Sequence, residues 1–234
     1  MHTKEAIRCT LAFAFTVILL VCVTLGLALL FNGSEKSVPT SNAASRVVVI
    51  DAGHGGLDGG AVAPDGTLEK DINLEISRVL ATLMRVSGYE VITTRDTDTM
   101  LGGDGNGSTK MRDLRKRLET ASAYPDAVTV SIHCNKFPQE SCKGLQVYHS
   151  DSDRARHTAE LIQASALKLM PDNHRKIKKA DSSIYLLHRA TSPSVLVECG
   201  FLSNEEELQA LKTENYRKKL ALIILGGLDA AYES

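Results

Sequence analysis

Apolar and polar positions of this chain recur in two periods, one typical of buried strands and one typical of amphipathic helices. Short apolar runs predict six strands, over residues 45–51, 90–94, 128–132, 145–149, 183–188 and 194–198. Apolar spacings of three and four predict helices over residues 72–83, 111–123, 154–170, 205–211 and 216–231. Because strands alternate with helices, we expect an α/β fold. We predict a single three-layer domain over residues 46–234, in which helices flank a central, mostly parallel or mixed sheet of about six strands.

The N-terminal part has a different pattern. Residues 9–31 are uncharged and apolar on every side, and as a helix they would cross the ~30 Å hydrocarbon core of a bilayer. Lys4 and Arg8 precede this run, so residues 1–8 are expected in the cytoplasm and the remaining chain outside it. Residues 32–45 are predicted to be a linker. A cleaved signal peptide is the alternative, but its apolar region spans only about 7–15 residues, so we favour an uncleaved transmembrane signal anchor.

The charge balance bears on the possible partners of the chain, and the cysteine content bears on its possible disulfides. The chain has 27 basic and 28 acidic residues, so its balance does not indicate a nucleic-acid partner. Only Cys134, Cys142 and Cys199 lie beyond the apolar run, and three thiols cannot all pair within the chain. No disulfide framework is therefore predicted.

Two histidines lie at predicted strand ends, where open α/β sheets place their sites. His54 lies among the glycines of DAGHGGLDGG, which allow sharp turns and the close approach of a ligand. A phosphate-binding loop is the alternative, although the Lys and Ser/Thr of a P-loop are missing. His133 ends the apolar strand of VSIHCN, where a structural, hydrogen-bonded histidine is the alternative to a ligand.

Two glutamates complete the candidate site. Glu69 begins the first predicted helix, where a solvated acid is the alternative. Glu198 ends the apolar strand VLVE, where a carboxylate is costly unless it is paired or used. Two histidines and two glutamates match the needs of a hydrolytic zinc site: neutral imidazoles and a carboxylate as ligands, an open position for water, and a second carboxylate as base. Cys134 and Cys199, one residue further along their strands, are predicted to face the core.

With these residues in place, the sequence resembles the zinc-dependent N-acetylmuramoyl-L-alanine amidases of the amidase-3 family. The motifs DAGHGGLDGGAV, LEKDINLEIS, TTRDTD, VSIHCN and VLVECGFLSN occur in order from Val47 onward. The resemblance implies that His54, Glu69 and His133 bind Zn²⁺ and that Glu198 is the catalytic carboxylate. The implied substrate is peptidoglycan, cleaved at the amide bond between N-acetylmuramic acid and L-alanine.

Within that family, a short chain with an N-terminal anchor and no added wall-binding module resembles the sporulation-specific members. The resemblance implies a role in spore-cortex maturation, through muramic-δ-lactam formation that is later recognised at germination. It also implies a location on the membrane, with the catalytic domain between forespore and mother cell, and raises the question of a protein activator. A vegetative autolysin or a cell-separation amidase is the alternative.

Two rivals from other classes make different predictions. A zinc carboxypeptidase would need an arginine, such as Arg95 or Arg112, that is free to bind a terminal carboxylate. A non-enzymatic wall-binding relative would have lost one or more of the four candidate site residues, and all four are present.

Overall fold

Six strands form one mixed sheet in the computed structural model, which describes residues 46–103 and 108–234. The strands are β1 (Val47–Ala52), β2 (Glu90–Thr93), β3 (Val128–Asn135), β4 (Gln146–His149), β5 (Lys178–Lys179) and β6 (Ser194–Phe201). Their order across the sheet is β2-β1-β3-β6-β4-β5. All neighbouring pairs are parallel except β4 and β6, which are antiparallel.

Helices cover both faces of this sheet. They are α1 (Glu69–Val86), α2 (Thr109–Ser122), α3 (Asp153–Leu169), α4 (Tyr185–Arg189), α5 (Glu205–Leu211) and α6 (Glu214–Glu233). Residues of α1, α3, α5 and α6 share the large apolar core on one face, and α2 and α4 contribute to a smaller cluster on the other. The predicted α/β domain with helices on both sides of a six-stranded mixed sheet is confirmed.

Alternation along the central strands decides what each face holds. On β3, Val130 and Ile132 are fully buried in the large core, whereas Ser131 and His133 point to the opposite face. The same alternation on β6 places Val197 in the core. One face of the central strands therefore packs in the large apolar core, and the opposite face carries the polar side chains of the cleft.

One strand prediction is wrong, and one strand was missed. Residues 183–188 were predicted to form a strand, but this segment contains the short helix α4, with Leu186 and Leu187 buried. Periodicity cannot separate a strand from one helical turn in so short an apolar run. The edge strand β5 consists of two exposed lysines, which give no apolar signal.

The predicted transmembrane segment, residues 9–31, lies outside the described residues. Within residues 46–103 and 108–234, no helix is both long enough and apolar enough to span a bilayer.

Two adjacent glycines of α6 give a test of the packing between α3 and α6. A Cβ atom at Gly227 would lie 2.4 Å from the Cα of Ile162, whereas a Cβ at Gly226 would meet only the Ser165 hydroxyl, at 3.3 Å. We expect Gly227→Ala to lower the free energy of unfolding by about 1–3 kcal/mol, because backbone cannot move aside cheaply. Gly226→Ala should be neutral or should stabilise by up to ~1 kcal/mol through helix propensity. Urea unfolding of both variants measures this difference, and equal effects would contradict the packing described.

Candidate metal centre and active site

The four candidate site residues come from four separate elements. His54 follows the end of β1, Glu69 is the first residue of α1, and His133 lies near the end of β3. Glu198 on β6 is the direct register partner of His133 in the parallel β3–β6 pair. Because β1, β3 and β6 run in the same direction, their carboxyl ends bring these side chains to one edge of the sheet.

Glu69 is the centre of this arrangement. Its side chain is almost fully buried, with Oε1 lying 2.9 Å from His133 Nδ1 and Oε2 lying 3.2 Å from His54 Nε2. The backbone N–H groups of Ala61 and Cys134 also donate to this carboxylate. Burial alone would raise the pKa of Glu69, but the hydrogen bonds and charges of the two imidazoles hold that pKa well below its usual range. Glu69 is therefore ionised at neutral pH.

Asn73, one turn further along α1, orients the Glu69 carboxylate. Its amide nitrogen lies 3.1 Å from Glu69 Oε1 and 3.3 Å from the carbonyl oxygen of Gly53. The asparagine is fully buried. It therefore links the carboxylate to the loop that carries His54.

His54 has an unusual backbone conformation and a fixed ring. Its φ of 62° is in the left-handed region, which residues other than glycine rarely adopt. Its Nδ1 lies 2.9 Å from Asp58 Oδ2, which turns Nε2 toward Glu69. Burial lowers the pKa of His54, but the carboxylates of Glu69 and Asp58 outweigh that effect, and the net shift is upward. A carboxylate behind the imidazole is a common support for a metal-binding histidine.

Gly53 and Gly60 leave space for the side chains of the candidate ligands. A Cβ atom at Gly53 would lie 2.3 Å from Nε2 of His133. At Gly60, where φ is 67°, a Cβ would lie 2.5 Å from Glu69 Oε2 and 2.7 Å from the ring of His54. Any larger residue at these positions would displace a candidate ligand, which explains the glycine-rich sequence of this loop.

Glu198 differs from Glu69 in having no partner for one of its oxygens. Its Oε2 is buried, with no hydrogen-bond partner among the described residues. Burial is the main cause that raises the pKa of Glu198 to about 7, a shift that the His133 imidazole opposes and the Glu69 carboxylate reinforces. A carboxyl group with a pKa near neutrality can both accept and return a proton.

The side chains of His54, Glu69 and His133 fit a metal ion. Each offers one ligand atom, and these atoms lie within 4.8 Å of one another. Ligands held ~2.0–2.1 Å from a tetrahedral zinc are spaced by roughly 3.3 Å, close to the 2.9 and 3.2 Å between the imidazole nitrogens and the Glu69 oxygens. Two imidazoles and one carboxylate are also a donor set of catalytic zinc sites. The three residues can therefore hold a metal with a position left open.

The structure brings together all four residues that the sequence singled out. The two imidazole rings are 5.0 Å apart between centroids, and Glu198 lines the same cleft as both. Cys134 and Cys199 are buried in the large core as predicted, and Cys134, Cys142 and Cys199 are free thiols. Sequence reasoning missed the supporting roles of Asp58 and Asn73, although both lie inside quoted motifs.

The cleft in front of these residues has a volume of about 260 Å³. Its other walls come from α2 and from the segment around α4, including Lys110, Leu114, Ile184, Tyr185 and Leu186.

Arg95 cannot be the arginine that a carboxypeptidase would need. That side chain is 4% exposed and donates to four backbone carbonyl groups. A carboxylate clamp formed by Arg95 is therefore excluded.

Comparison with known proteins gives a consistent result. A family model described as N-acetylmuramoyl-L-alanine amidase matches residues 48–230. The germination-specific N-acetylmuramoyl-L-alanine amidase of Bacillus subtilis is 34% identical over 203 residues, which cover 84% of each chain. The amidase LytC of the same organism is 30% identical over 80% of this chain but only 36% of its own length.

A solved structure is also similar in fold and sequence. The CwlD amidase of Clostridioides difficile, determined in complex with the GerS lipoprotein, is 36% identical to this chain, with a TM-score of 0.73. The match covers 81% of this chain and 99% of CwlD. The resemblance seen in the motifs therefore extends to nearly the whole described structure.

The buried carboxyl of Glu198 gives a prediction for the metal-free protein. A carboxyl group whose pKa is raised by folding destabilises the fold as pH rises from its ordinary value, near 4.5, through about 7. Glu198→Gln should therefore be more stable than wild type at pH 8, by about 3 kcal/mol or roughly 10 °C in Tm. Near pH 4 the two should be equal. Thermal unfolding in the presence of a chelator measures this, and a less stable variant at pH 8 would contradict the burial of an uncompensated charge.

Proposed function

The chain belongs to the N-acetylmuramoyl-L-alanine amidase family, and on that premise we propose that it is a zinc-dependent member acting in spore-cortex maturation. The reaction is hydrolysis of the amide bond between N-acetylmuramic acid and the L-alanine of the stem peptide. The single observation that carries the proposal is the convergence of His54, Glu69 and His133 beside a Glu198 oxygen that has no described partner.

His54, Glu69 and His133 are the proposed zinc ligands. Asp58 fixes the ring of His54, and Asn73 fixes the carboxylate of Glu69, so both ligands are oriented before any ion binds. Zinc, when bound, supplies Lewis-acid chemistry: it lowers the pKa of a water ligand and polarises the scissile carbonyl group.

Glu198 is the proposed general base and acid. It lies beside His133 in the register of the sheet, and its unpartnered Oε2 can accept a proton from the attacking water. The same carboxyl group then returns that proton to the nitrogen of L-alanine as the amide bond breaks. A pKa near 7 suits both steps, because neither protonation state is strongly favoured at neutral pH.

The spore-cortex setting is supported by the extent of the matches. The germination-specific relative is matched over 84% of its own length, whereas LytC is matched over 36%. The matched region is therefore most of the germination-specific relative but only about a third of LytC. A vegetative amidase remains the alternative, and the two are separated by the phenotype described below.

The N-terminal segment supports a membrane location. We propose that residues 9–31 anchor the chain and that the catalytic domain acts on the outer side of the membrane, between forespore and mother cell. Protease accessibility of the domain in protoplasts of vegetative cells that express the chain tests this orientation, because there the outer side of the membrane faces the added protease, and a protected domain would contradict it.

A protein partner is proposed from the CwlD complex with the GerS lipoprotein. An analogous lipoprotein would meet this chain at the same membrane. Copurification of the anchored chain with a lipoprotein from detergent-solubilised membranes of sporulating cells tests this, and recovery of the chain alone would contradict it.

Substitutions in the site should separate metal binding from turnover. Glu198→Gln should keep stoichiometric zinc but lower kcat by about 100- to 10,000-fold, the usual contribution of a general base or acid. His54→Ala and His133→Ala should lose zinc as well as activity. Zinc is measured by mass spectrometry of the metal, and turnover by the release of stem peptides with a free L-alanine amine from purified peptidoglycan.

The matched control for these variants is Glu75→Gln, at a half-buried glutamate on α1 that pairs with Arg78. It should behave as wild type in both assays. Full turnover by Glu198→Gln would overturn its catalytic role, and zinc-independent cleavage by wild type would overturn the metal mechanism.

The physiological proposal predicts a change in spore chemistry. Spores that carry only Glu198→Gln should contain cortex without muramic δ-lactam, because the lactam needs a muramic acid freed of its peptide. Muropeptide analysis of the purified cortex measures this. Normal lactam content together with chains of unseparated cells would favour the vegetative alternative.

A further inference from the structure

We propose that the TTRDTD segment, residues 93–98, positions the metal site by fixing the His54 loop against the first turn of α1. Arg95 and Asp98 are the positioning residues: they bond the backbone around His54 and Glu69 but touch neither the proposed ligand atoms nor the cleft. This inference rests on the proposed function, because it concerns the affinity of that site for zinc. The TTRDTD motif would thus have a physical role in holding the metal site.

Arg95 joins the backbone segments that carry two of the ligands. Its Nε donates to the Ala52 carbonyl at 2.8 Å, and one terminal nitrogen donates at 2.9 Å to the carbonyl of Gly53, the residue before His54. The same nitrogen donates at 2.9 Å to the carbonyl of Lys70, the residue after Glu69. One planar guanidinium therefore fixes the separation of the two ligand-bearing segments.

Asp98 holds the far side of the His54 loop with the help of Lys70. One oxygen of Asp98 accepts a hydrogen bond from the Gly56 N–H at 2.8 Å, and the other accepts from Lys70 Nζ at 2.7 Å. Lys70 Nζ also donates to the Gly56 carbonyl at 2.8 Å. Both polar groups of Gly56 are therefore bonded, one to the segment and the other to α1.

The residues that follow the segment leave the His54 loop no room to relax. A Cβ atom at Gly55 would lie 2.3 Å from the Thr99 carbonyl oxygen, and one at Gly56 would lie 2.8 Å from the Met100 backbone nitrogen. Both glycines have positive φ, as has His54 between them and β1. The left-handed φ of His54 is strained, so this residue needs outside contacts to hold its conformation.

The physical consequence is a preorganised site. Ligands that are already in place lose little conformational entropy when an ion binds, and supporting contacts of this kind commonly affect metal affinity 10- to 100-fold. Arg95 is buried and also contributes to folding, but the Asp98 side chain is 45% exposed. Loss of Asp98 should therefore weaken zinc binding more than it weakens the fold.

Asp98→Asn in the full-length chain tests the proposal, with Asp151→Asn as the matched control. Asp151 forms a surface ion pair with Lys179 at 2.8 Å, close to the 2.7 Å of Asp98 with Lys70, but it lies at the other edge of the sheet. Zinc affinity is measured by competition with a chromophoric chelator, and stability by the Tm of the metal-free protein.

We expect Asp98→Asn to lower zinc affinity by about 10- to 100-fold, and Asp151→Asn to leave it within twofold of wild type. The metal-free Tm values of the two variants should be similar. Excess zinc should restore turnover to Asp98→Asn, in contrast to Glu198→Gln. Arg95→Lys, which keeps the charge but loses the planar fork, should lower affinity at least as much.

Wild-type zinc affinity in Asp98→Asn would overturn the positioning role, and a lower Tm at that unchanged affinity would mark the residue as merely structural. A different result would contradict the proposed reaction. If wild type binds zinc tightly but does not cleave peptidoglycan, the amidase mechanism is wrong, and the comparison of zinc affinity between wild type and Asp98→Asn still holds. A wild-type chain that binds no zinc would overturn both.

Discussion

The buried carboxylate of Glu69 is the constraint on which the rest of the site depends. A negative charge in a dry position is costly unless it is fully bonded, and here the donors come from β3, α1 and the His54 loop. The carboxylate therefore stays ionised and draws both imidazoles toward itself. A divalent cation would replace those hydrogen bonds with stronger interactions, without a large movement of the side chains.

Glu198 has the opposite environment on the same sheet. It is one strand away from His133 in direct register, yet one of its oxygens has no described partner and its pKa is raised to about 7. The pKa values of the two carboxyl groups are thus shifted in opposite directions, because Glu69 accepts several hydrogen bonds whereas Glu198 Oε2 is buried without a described partner. This difference suits Glu69 to the proposed role of metal ligand and Glu198 to the proposed role of proton carrier.

Much of this could be read from the sequence, because it depends on local patterns. The apolar runs of β1, β3 and β6 lead to the polar residues Asp51, His133 and Glu198, and parallel strands bring such positions to one edge. The supporting contacts could not be read in this way, since Arg95 and Asn73 act through backbone carbonyls that only the folded chain brings near. The left-handed φ of His54 also gives no signal in a residue that is not glycine. Helix α4 was missed for another reason: an apolar run of this length fits either a strand or a helical turn.

The central claim is that one zinc ion binds at His54, Glu69 and His133. Its most direct test is an anomalous difference map from crystals of the purified protein, measured on either side of the zinc absorption edge. We expect one strong peak within about 2.0–2.2 Å of an imidazole nitrogen of each histidine and a carboxylate oxygen of Glu69, with Glu198 facing the ion but not bound to it. A peak at other residues, or a fully zinc-loaded protein in which these three side chains still bond only to one another, would contradict it.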